Sequence, residues 1–407
     1  MTDSSETRKE EKRSTLPFTE REKQSLTERL QKIPAIIQNM VIRSPKLQYP
    51  FLSVGADYSG IWLEHNQDNL FITDIDPEAA WGSVEIFIRF QRQDGLLPAL
   101  ICIPELQPKY GHVQTVYPFA RCAFELYQKL KRPEHDLPRI YDSAANYDCW
   151  LEHYRNYDGT GLVSMFCEWD TGHDNSPRCM DGGLPKQCPD CEAKNMPNLR
   201  GLPIAAADLS STRYGGLTAL AEMAELLGKK AEAENWLRKA ERLRNAITTY
   251  LYCAEDEFFY DLAPHGWRKY RTEHITRIFL NRVVDQPLFN RIWQRYFSSP
   301  QEFFTEYPFP SVSISDPAFR RDFSPNCWGG NTQMLTLLRL LLFMDFYRHS
   351  SELEHILTQF LRAYLKYPQN QYSQEINPFT GEPIGNAVNY LPAMLLMRES
   401  CLRLGLN

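Results

Sequence analysis

The sequence lacks the long apolar run that a membrane-spanning helix requires. Its most apolar helix-like stretch, Met334 to Phe346, is too short to cross a bilayer and contains Arg339 and Asp345. The first 15 residues are polar and contain no apolar run, so we expect no secretory signal. We therefore predict a cytoplasmic protein that does not partner with a membrane.

The sequence also lacks an excess of basic charge and a disulfide framework. It has 45 Lys and Arg residues and 51 acidic residues, which gives a net charge of -6. This charge argues against nucleic acid as a partner. Ten cysteines are scattered without regular spacing, so we expect reduced thiols. A C-x-x-C pair, Cys188 and Cys191, has Cys167 and Cys179 upstream. No second C-x-x-C follows, and we interpret these four as thiols in and around an insertion near residues 179–200, with no metal.

Two common catalytic motifs are missing as well. The sequence contains no glycine-rich phosphate loop and no nucleophilic serine elbow. Aromatic residues are abundant, with 22 Phe, 21 Tyr and 8 Trp, and many lie beside Pro, Gly, Asn or Asp. Aromatic loops with polar groups suit sugar rings, because a ring face stacks on C–H groups while polar groups bind hydroxyls. We therefore expect a small carbohydrate as the partner and no cofactor.

The hydrophobic pattern predicts an all-α protein. After a disordered tail over residues 1–16, we expect a single domain, 17–407, of helical hairpins arranged in a ring. Short strands are predicted only at 257–260 and 311–314. The predicted helices cover 19–40, 76–93, 115–131, 137–154, 208–227, 231–251, 286–296, 332–349, 351–367 and 387–402. Two long loops without periodicity, 155–204 and 368–386, indicate a functional face, since long loops in compact domains are usually functional.

The segment from Asp158 to Arg178, DGTGLVSMFCEWDTGHDNSPR, carries the densest set of polar residues. Glycoside hydrolysis needs one carboxylic acid that is protonated at neutral pH and a second, ionised carboxylate. A carboxyl group in a pocket beside Trp169 would have its charged form disfavoured. Taken alone, however, the DNS triplet is more typical of a structural Asx turn.

The motif GLVS…EWDTGHDNSPR resembles the acid loop of the six-hairpin inverting α-glycosidases of glycoside hydrolase family 63. In particular it resembles bacterial mannosylglycerate and glucosylglycerate hydrolases, with trehalases as more distant relatives. The resemblance extends over most of the chain after about residue 50 and implies an (α/α)6 barrel with long loops over one end. It also implies that Asp174 is the general acid. Residues 170–173 read DTGH where the family usually has ESGM, a departure that we expect to concern substrate contacts.

The segment QYSQEINPFTGEPIGNAVNY resembles the family's E-x-x-x-P-x-T-G loop, whose Glu is the general base. The match places the base on Glu375, although Pro378 follows one residue sooner than usual. Spacing alone leaves Glu382 as an alternative. The mechanism requires the carboxylates of Asp174 and Glu375 to converge at roughly 6.5–9.5 Å, with a water between them.

Six further residues are predicted to bind the substrate. The three tryptophans among them are candidate stacking platforms, and Gln114 begins a helix that faces the predicted mouth. Either Asp68 or Glu64 is expected to contact sugar hydroxyls. Arg178 is predicted to pair with an anionic aglycone or to brace Asp174 or Asp170. The six are Trp62, Asp68, Gln114, Trp169, Arg178 and Trp328.

The leading hypothesis is therefore an inverting α-glycosidase that hydrolyses a small α-glycoside such as mannosylglycerate or glucosylglycerate. A trehalase-like or other disaccharide α-glucosidase is one alternative. A sugar epimerase on a helical barrel is another, although such enzymes use paired histidines and only nine histidines are present. A non-catalytic helical scaffold is a third, and long loops argue against it. The sequence predicts neither the sugar nor the oligomeric state.

Overall fold

A computed structural model describes residues 17–55, 58–385 and 387–406. The predicted disordered tail lies outside the described residues. Within them the chain forms twelve α-helices: α1 Glu20–Asn39, α2 Pro77–Arg89, α3 Phe119–Lys129, α4 Asp136–Arg155, α5 Pro177–Met180, α6 Ala207–Leu226, α7 Lys230–Ala246, α8 Thr276–Leu280, α9 Gln286–Ile292, α10 Met334–Phe343, α11 Ser350–Leu365 and α12 Leu391–Arg403.

The described residues also form fourteen strands of two or three residues each. They are β1 Val41–Ile42, β2 Phe51–Leu52, β3 Gly60–Trp62, β4 Leu100–Cys102, β5 Gln107–Lys109, β6 Ser164–Met165, β7 Ile204–Ala205, β8 Tyr252–Cys253, β9 Phe258–Phe259, β10 Asp261–Ala263, β11 Gly266–Arg268, β12 Thr332–Gln333, β13 Glu375–Ile376 and β14 Pro383–Ile384. Most of them belong to three small antiparallel sheets, ordered β3-β4-β5, β6-β7-β10-β11 and β12-β13-β14.

Helix starts follow the capping signals of the sequence. Thr19 and Glu22 form a reciprocal capping box at the start of α1. The Asp76 carboxylate accepts the N–H of Ala79 at 2.9 Å, and Pro77 occupies the first position of α2. Local chemistry therefore explains why these predicted helices begin where they do.

Helical segments alternate along the chain between an outer and an inner ring. The inner ring consists of a 3-10 segment, Leu63–Phe71, followed by α3, α6, α8, α10 and α12. Each inner element contacts the next one, and α12 returns to contact Leu63–Phe71, which closes the ring. The outer ring consists of α1, α2, α4, α7, α9 and α11. This is the (α/α)6 barrel that the family resemblance implies, so the predicted fold class is confirmed.

Several local predictions differ from the structure. Residues 311–314 form only an isolated bridge, between Val312 and Thr272. The predicted helix at 332–349 ends as an α-helix at Phe343, and the predicted helix at 387–402 begins at Leu391. The first inner element was not predicted, because its buried residues include the polar run His65–Asn69 and give no apolar periodicity.

Because the inner elements alternate with outer helices, they run in the same direction, and their N-terminal ends lie at one end of the barrel. The loops that precede them, including 58–62, 168–176 and 326–333, gather at that end. Among the residues that the structure describes, no helix is both long and apolar enough to cross a membrane.

Candidate active site

A cavity of about 250 Å³ opens at the N-terminal end of the inner ring. Its walls come from five separate parts of the chain and include both aromatic and polar side chains. The lining residues are Val54, Tyr58, Trp62, Glu64, His65, Leu100, His112, Gln114, Trp169, Gly172, Asp174, Asn326, Trp328, Leu335, Gln374 and Tyr390.

Asp174 lies at the wall of this cavity, three residues before α5. Its Oδ2 accepts a hydrogen bond from Nδ2 of Asn326 at 2.8 Å, and its backbone oxygen accepts the N–H of Trp328 at 2.8 Å. Burial, reinforced by the negative charges of Glu64 and Glu168, raises the pKa of Asp174 to about 7. A carboxyl group with this pKa is partly protonated at neutral pH and can donate a proton.

Glu375 is buried on β13, and its side chain is only 2% exposed. One carboxylate oxygen accepts the N–H of Cys327 at 3.2 Å, and the other accepts the amide of Asn331. Burial is the main cause that raises the pKa of Glu375 to about 7, and the charge of Asp174 adds to it. The preceding residue, Gln374, lines the cavity. Glu375 is not itself a lining residue, but its hydrogen bond from Cys327 places it next to the segment of the lining residue Asn326.

Glu382, the other glutamate of this segment, has a different environment. It follows the turn at Gly381, is exposed, and accepts a hydrogen bond from the Thr380 hydroxyl at 3.2 Å. Of the two glutamates, Glu375 is the buried one, with a raised pKa beside the cavity.

Tyr58 and Gln374 complete the polar wall between the two carboxylates. The Tyr58 hydroxyl donates to Oε1 of Gln374 at 2.6 Å. Burial raises the pKa of Tyr58, and the charges of Glu64, Asp174 and Glu375 raise it further. These three acids therefore all lie within electrostatic reach of one phenol.

Glu64 and Asp68 occupy different positions. Glu64 lines the cavity, and its Oε2 packs against Gly172, whose φ of 68° favours glycine. Asp68 is 1% exposed and lies behind His65, with its Oδ2 2.9 Å from Nδ1 of that histidine. Nε2 of His65 lies 3.4 Å from the Tyr390 hydroxyl. Glu64 can reach a ligand directly, whereas Asp68 can orient His65.

The three tryptophans that the sequence singled out all line the cavity, as does Gln114. Oε1 of Gln114 lies 2.7 Å from Nε2 of His112, which also packs edge-on against Trp169. These side chains form apolar walls with a polar rim, an arrangement that suits a sugar ring.

Arg178 lies away from the cavity. It is 1% exposed and binds both Asp208, at 2.6 Å, and Asp261, at 2.5 Å. Its Nη1 also approaches Nδ1 of His173 at 3.0 Å. The structure therefore places Arg178 in a buried ion network and not beside Asp174 or Asp170. His173 belongs to the same network, whereas Gly172, in the same DTGH stretch, lines the cavity.

Asp170 is held by Arg155 instead. Both side chains are fully buried, and their atoms approach to 2.6 and 3.1 Å. The Asp170 carboxylate also accepts backbone N–H groups of Val113, Phe166 and Cys167 at 3.0, 2.8 and 3.2 Å. Because of Arg155 and these donors, the pKa of Asp170 lies below its usual value despite burial. This ion pair anchors the start of the acid loop.

The four cysteines considered as metal ligands do not converge. Cys167 and Cys188 lie near Asp170 in one buried group. Cys191 is exposed, and Cys179 contacts Met165. The Arg155 guanidinium lies 3.6 Å from the Cys188 sulfur and already binds Asp170, so a cation is disfavoured there.

The insertion packs against the acid loop. Backbone N–H groups of Glu168 and Trp169 donate to the carbonyls of Pro185 and Lys186 at 2.9 and 3.1 Å. The Lys186 ammonium binds Glu168 at 2.5 Å and the side chain of Asn175 at 2.8 Å. It also lowers the pKa of Asp174. The insertion thus supplies a positive charge close to the proposed acid.

Sequence reasoning missed several cavity residues, because each lies in a different loop without a local motif. An aromatic residue or an amide in a loop is common, and nothing in its neighbours marks it as functional. The missed residues are Tyr58, His112, Asn326, Gln374 and Tyr390.

Comparison with known proteins identifies the family and supports the fold. The model of the mannosylglycerate hydrolase MGH1-like glycoside hydrolase domain matches residues 71–391. The chain is similar to the GH63 mannosylglycerate hydrolase from Thermus thermophilus in complex with glucose, with 18% identity and a TM-score of 0.71. That match covers 91% of this chain and 99% of the Thermus chain.

Two further structures show the same fold. The Thermus enzyme in complex with Tris and D-glycerate is 17% identical, with a TM-score of 0.71 and coverage of 91% of this chain and 99% of that chain. The neutral trehalase Nth1 from Saccharomyces cerevisiae is 12% identical, with a TM-score of 0.66. That match covers 92% of this chain and 80% of the trehalase.

Proposed function

The chain belongs to the MGH1-like family of glycoside hydrolases, and from this premise we propose that it hydrolyses a small α-glycoside with inversion of configuration. Asp174 is the general acid that protonates the departing glycosidic oxygen. Glu375 is the general base that removes a proton from the attacking water. The water attacks the anomeric carbon from the face opposite the leaving group, which inverts the configuration.

Hydrogen bonding supports this division of roles. Glu375 accepts two hydrogen bonds, from the Cys327 N–H and the Asn331 amide, and these favour its ionised form. The carboxylate of Asp174 accepts one, from Asn326, and Glu64 and Glu168 disfavour its ionisation. The pKa values of both groups are about 7, and the proposal assigns the proton of the pair to Asp174, the carboxyl group that lines the cavity.

The substrate that we propose is mannosylglycerate or glucosylglycerate. The family description names mannosylglycerate hydrolase, and the Thermus relative was solved with glucose and with D-glycerate. The cavity of about 250 Å³ suits a compact glycoside better than a long oligosaccharide. Trp62, Trp169 and Trp328 would pack against the sugar, with Glu64 and Gln114 binding its hydroxyls.

The observation that carries the proposal is that one short segment contacts both buried carboxylates. Asn326, which lines the cavity, donates to Asp174, and the N–H of Cys327 donates to Glu375. The test is a panel of mannosylglycerate, glucosylglycerate and trehalose, with the anomer of the released sugar followed by NMR. We expect release of the β-anomer of the sugar from mannosylglycerate or glucosylglycerate, each of which has an α-glycosidic bond. Release of the α-anomer, or no hydrolysis of any of the three, would contradict the proposal.

The residue assignment has a matched control in the same loop. Glu375→Gln is expected to lower kcat by at least about 10³-fold, because the water loses its base. Glu382→Gln, seven residues later and exposed, is expected to retain wild-type activity. Asp174→Asn should be as inactive as Glu375→Gln on these glycosides. Equal losses in both glutamate variants would refute the assignment of the base.

We also propose a cytoplasmic location. All ten cysteines are free thiols in the structure, as expected for a protein that stays in a reducing compartment. Fractionation of cells that express the tagged chain tests this location directly.

A further inference from the structure

His173 immediately precedes Asp174, the proposed acid, and takes no direct part in the proposed chemistry. Its side chain is buried and does not line the catalytic cavity. The imidazole ring packs against the indole of Trp328, with ring centroids 4.7 Å apart and an interplanar angle of 56°. Trp328 does line the cavity, so His173 supports this part of the wall from the protein side.

His173 and Trp328 are also joined through the main chain. The Trp328 N–H donates to the carbonyl oxygen of Asp174 at 2.8 Å, and a single peptide bond connects Asp174 to His173. The ring contact and this hydrogen bond therefore close a small circuit of three residues. A displacement of the imidazole would move the acid, the tryptophan or both.

Both ring nitrogens of His173 are held by charged groups. Nδ1 lies 3.0 Å from Nη1 of Arg178, and Nε2 lies 2.6 Å from Oε1 of Glu273 and 2.7 Å from Nη2 of Arg277. A guanidinium only donates and a carboxylate only accepts, so a proton on Nε2 satisfies the first two contacts, whereas a proton on Nδ1 satisfies only the third. Burial and the charges of both arginines lower the pKa of His173 to about 3, which agrees with a neutral ring.

The groups that hold the imidazole are themselves fixed to the inner ring. Glu273 accepts the hydroxyl of Thr336, on α10, at 2.9 Å, and Arg178 binds Asp208, on α6, at 2.6 Å. All four of these side chains are buried. None can turn away without leaving a buried polar or charged group unpaired, which is costly. His173 therefore connects the rigid interior of the barrel to the acid loop.

We propose that His173 is a positioning residue for the hydrolysis, which holds the Asp174 main chain and the Trp328 ring in one orientation relative to the inner ring. This inference rests on the proposed function, because Asp174 acts as an acid only if the chain is a glycosidase. Proton donation to the glycosidic oxygen requires a defined line of approach, and a misplacement of about 1 Å can lower a rate by about 100-fold.

Steady-state kinetics test this role on whichever glycoside of the panel the wild type hydrolyses. His173→Leu removes both hydrogen bonds of the ring, and we expect kcat to fall by about 30-fold while KM rises less than about threefold, because the acid acts in the transition state. His173→Gln can still donate to Glu273 and should restore kcat to within about threefold of the wild type. If His173→Leu does not fold, His173→Asn replaces it, because its shorter amide cannot reach Glu273.

His274 provides a matched control, since it is also a buried histidine with both ring nitrogens hydrogen-bonded. Its Nδ1 lies 2.6 Å from the Thr272 hydroxyl and its Nε2 lies 3.1 Å from the Phe259 carbonyl oxygen, and its ring packs against Phe258. His274→Leu is expected to lose stability but to retain kcat. Equal losses of kcat in His173→Leu and His274→Leu, or a loss confined to KM, would overturn the positioning role.

A crystal structure of His173→Leu, or of His173→Asn, tests the geometry without reference to hydrolysis. We expect the Trp328 ring to shift and the distance from Trp328 N to Asp174 O to increase from 2.8 Å to more than about 3.5 Å. An unchanged ring and an unchanged contact contradict the inference. If the wild type hydrolyses none of the glycosides, the proposed function fails, and the crystal structure still decides whether His173 holds Trp328 and Asp174 in place.

Discussion

Asn326 and Cys327 connect two carboxylates that come from distant parts of the chain. The Asn326 side chain donates to Asp174 at 2.8 Å, and the next peptide N–H, of Cys327, donates to Glu375 at 3.2 Å. Trp328 then donates its N–H to the Asp174 carbonyl at 2.8 Å. A single short segment thus holds both proposed catalytic groups, so a displacement of this segment would disturb both at once.

The pH dependence of kcat/KM should be a narrow bell centred near pH 7. Activity requires Asp174 to be protonated and Glu375 to be ionised, and both pKa values are about 7. Because the two groups interact, the acidic and alkaline limbs of the profile give apparent pKa values that belong to the pair and not to either residue alone. Initial rates at low substrate from pH 5 to 9 measure the profile. A rate that stays flat over this range would be inconsistent with an acid–base pair.

Asn326→Ala should shift the alkaline limb to higher pH and lower kcat by about tenfold or more. The Asn326 amide stabilises the ionised form of Asp174, so its loss raises the pKa of that acid. The acid also loses its positioning contact. Asn245→Ala, an exposed asparagine, is the control. An Asn326→Ala enzyme with a wild-type pH profile would argue against this positioning role.

Lys186→Met should also move the alkaline limb to higher pH, with a smaller loss of kcat. Lys186 lowers the pKa of Asp174 and binds Glu168 and Asn175. Lys194→Met, in the same insertion and exposed, serves as the matched control. If both variants show the same profile, Lys186 does not influence the acid.

Asp174→Asn should stabilise the folded protein at alkaline pH. The folded-state pKa of about 7 lies above the unfolded value of about 4, so the folded state binds more protons between these values. Stability is therefore lost as the pH rises through this window. The amide removes that loss, and we expect a gain of about 1–3 kcal/mol at pH 8 and little gain at pH 4.

Urea unfolding at the two pH values measures this difference, with Asp142→Asn as an exposed control. A variant that is destabilised equally at both pH values would show that the charge of Asp174 carries no stability cost.

Asp170→Asn should destabilise the fold by about 3–5 kcal/mol, because it leaves Arg155 buried without a counter-ion. The stabilising contribution of this carboxylate is present above its unfolded pKa and is lost as the pH falls through its lower folded pKa. The destabilisation should therefore be largest at neutral pH and shrink in acid. Equilibrium unfolding at pH 7 and pH 3 checks the trend, and equal effects at both would contradict it.

The predicted aromatic residues line the cavity, whereas the predicted charged contacts form elsewhere. Trp62, Trp169 and Trp328 all line the cavity. Arg178 was predicted to pair with an anionic aglycone or to brace Asp174 or Asp170, but it binds Asp208 and Asp261. Asp68, one of two candidates for binding sugar hydroxyls, is paired with His65. A large aromatic ring in a polar loop has few ways to pack, whereas a charged side chain is satisfied by whichever opposite charge the fold brings near.

The sequence alone determined the hairpin pattern and the starts of helices such as α2. Capping residues such as Asp76 and apolar periodicity act over a few residues, so the helices that they define can be recognised without knowledge of the tertiary structure. Tertiary structure decided which charged groups meet. Closure of the six-membered inner ring brings Asp174, Asn326 and Glu375 together. Burial and pairing depend on distances between separate hairpins, and no local pattern encodes those distances.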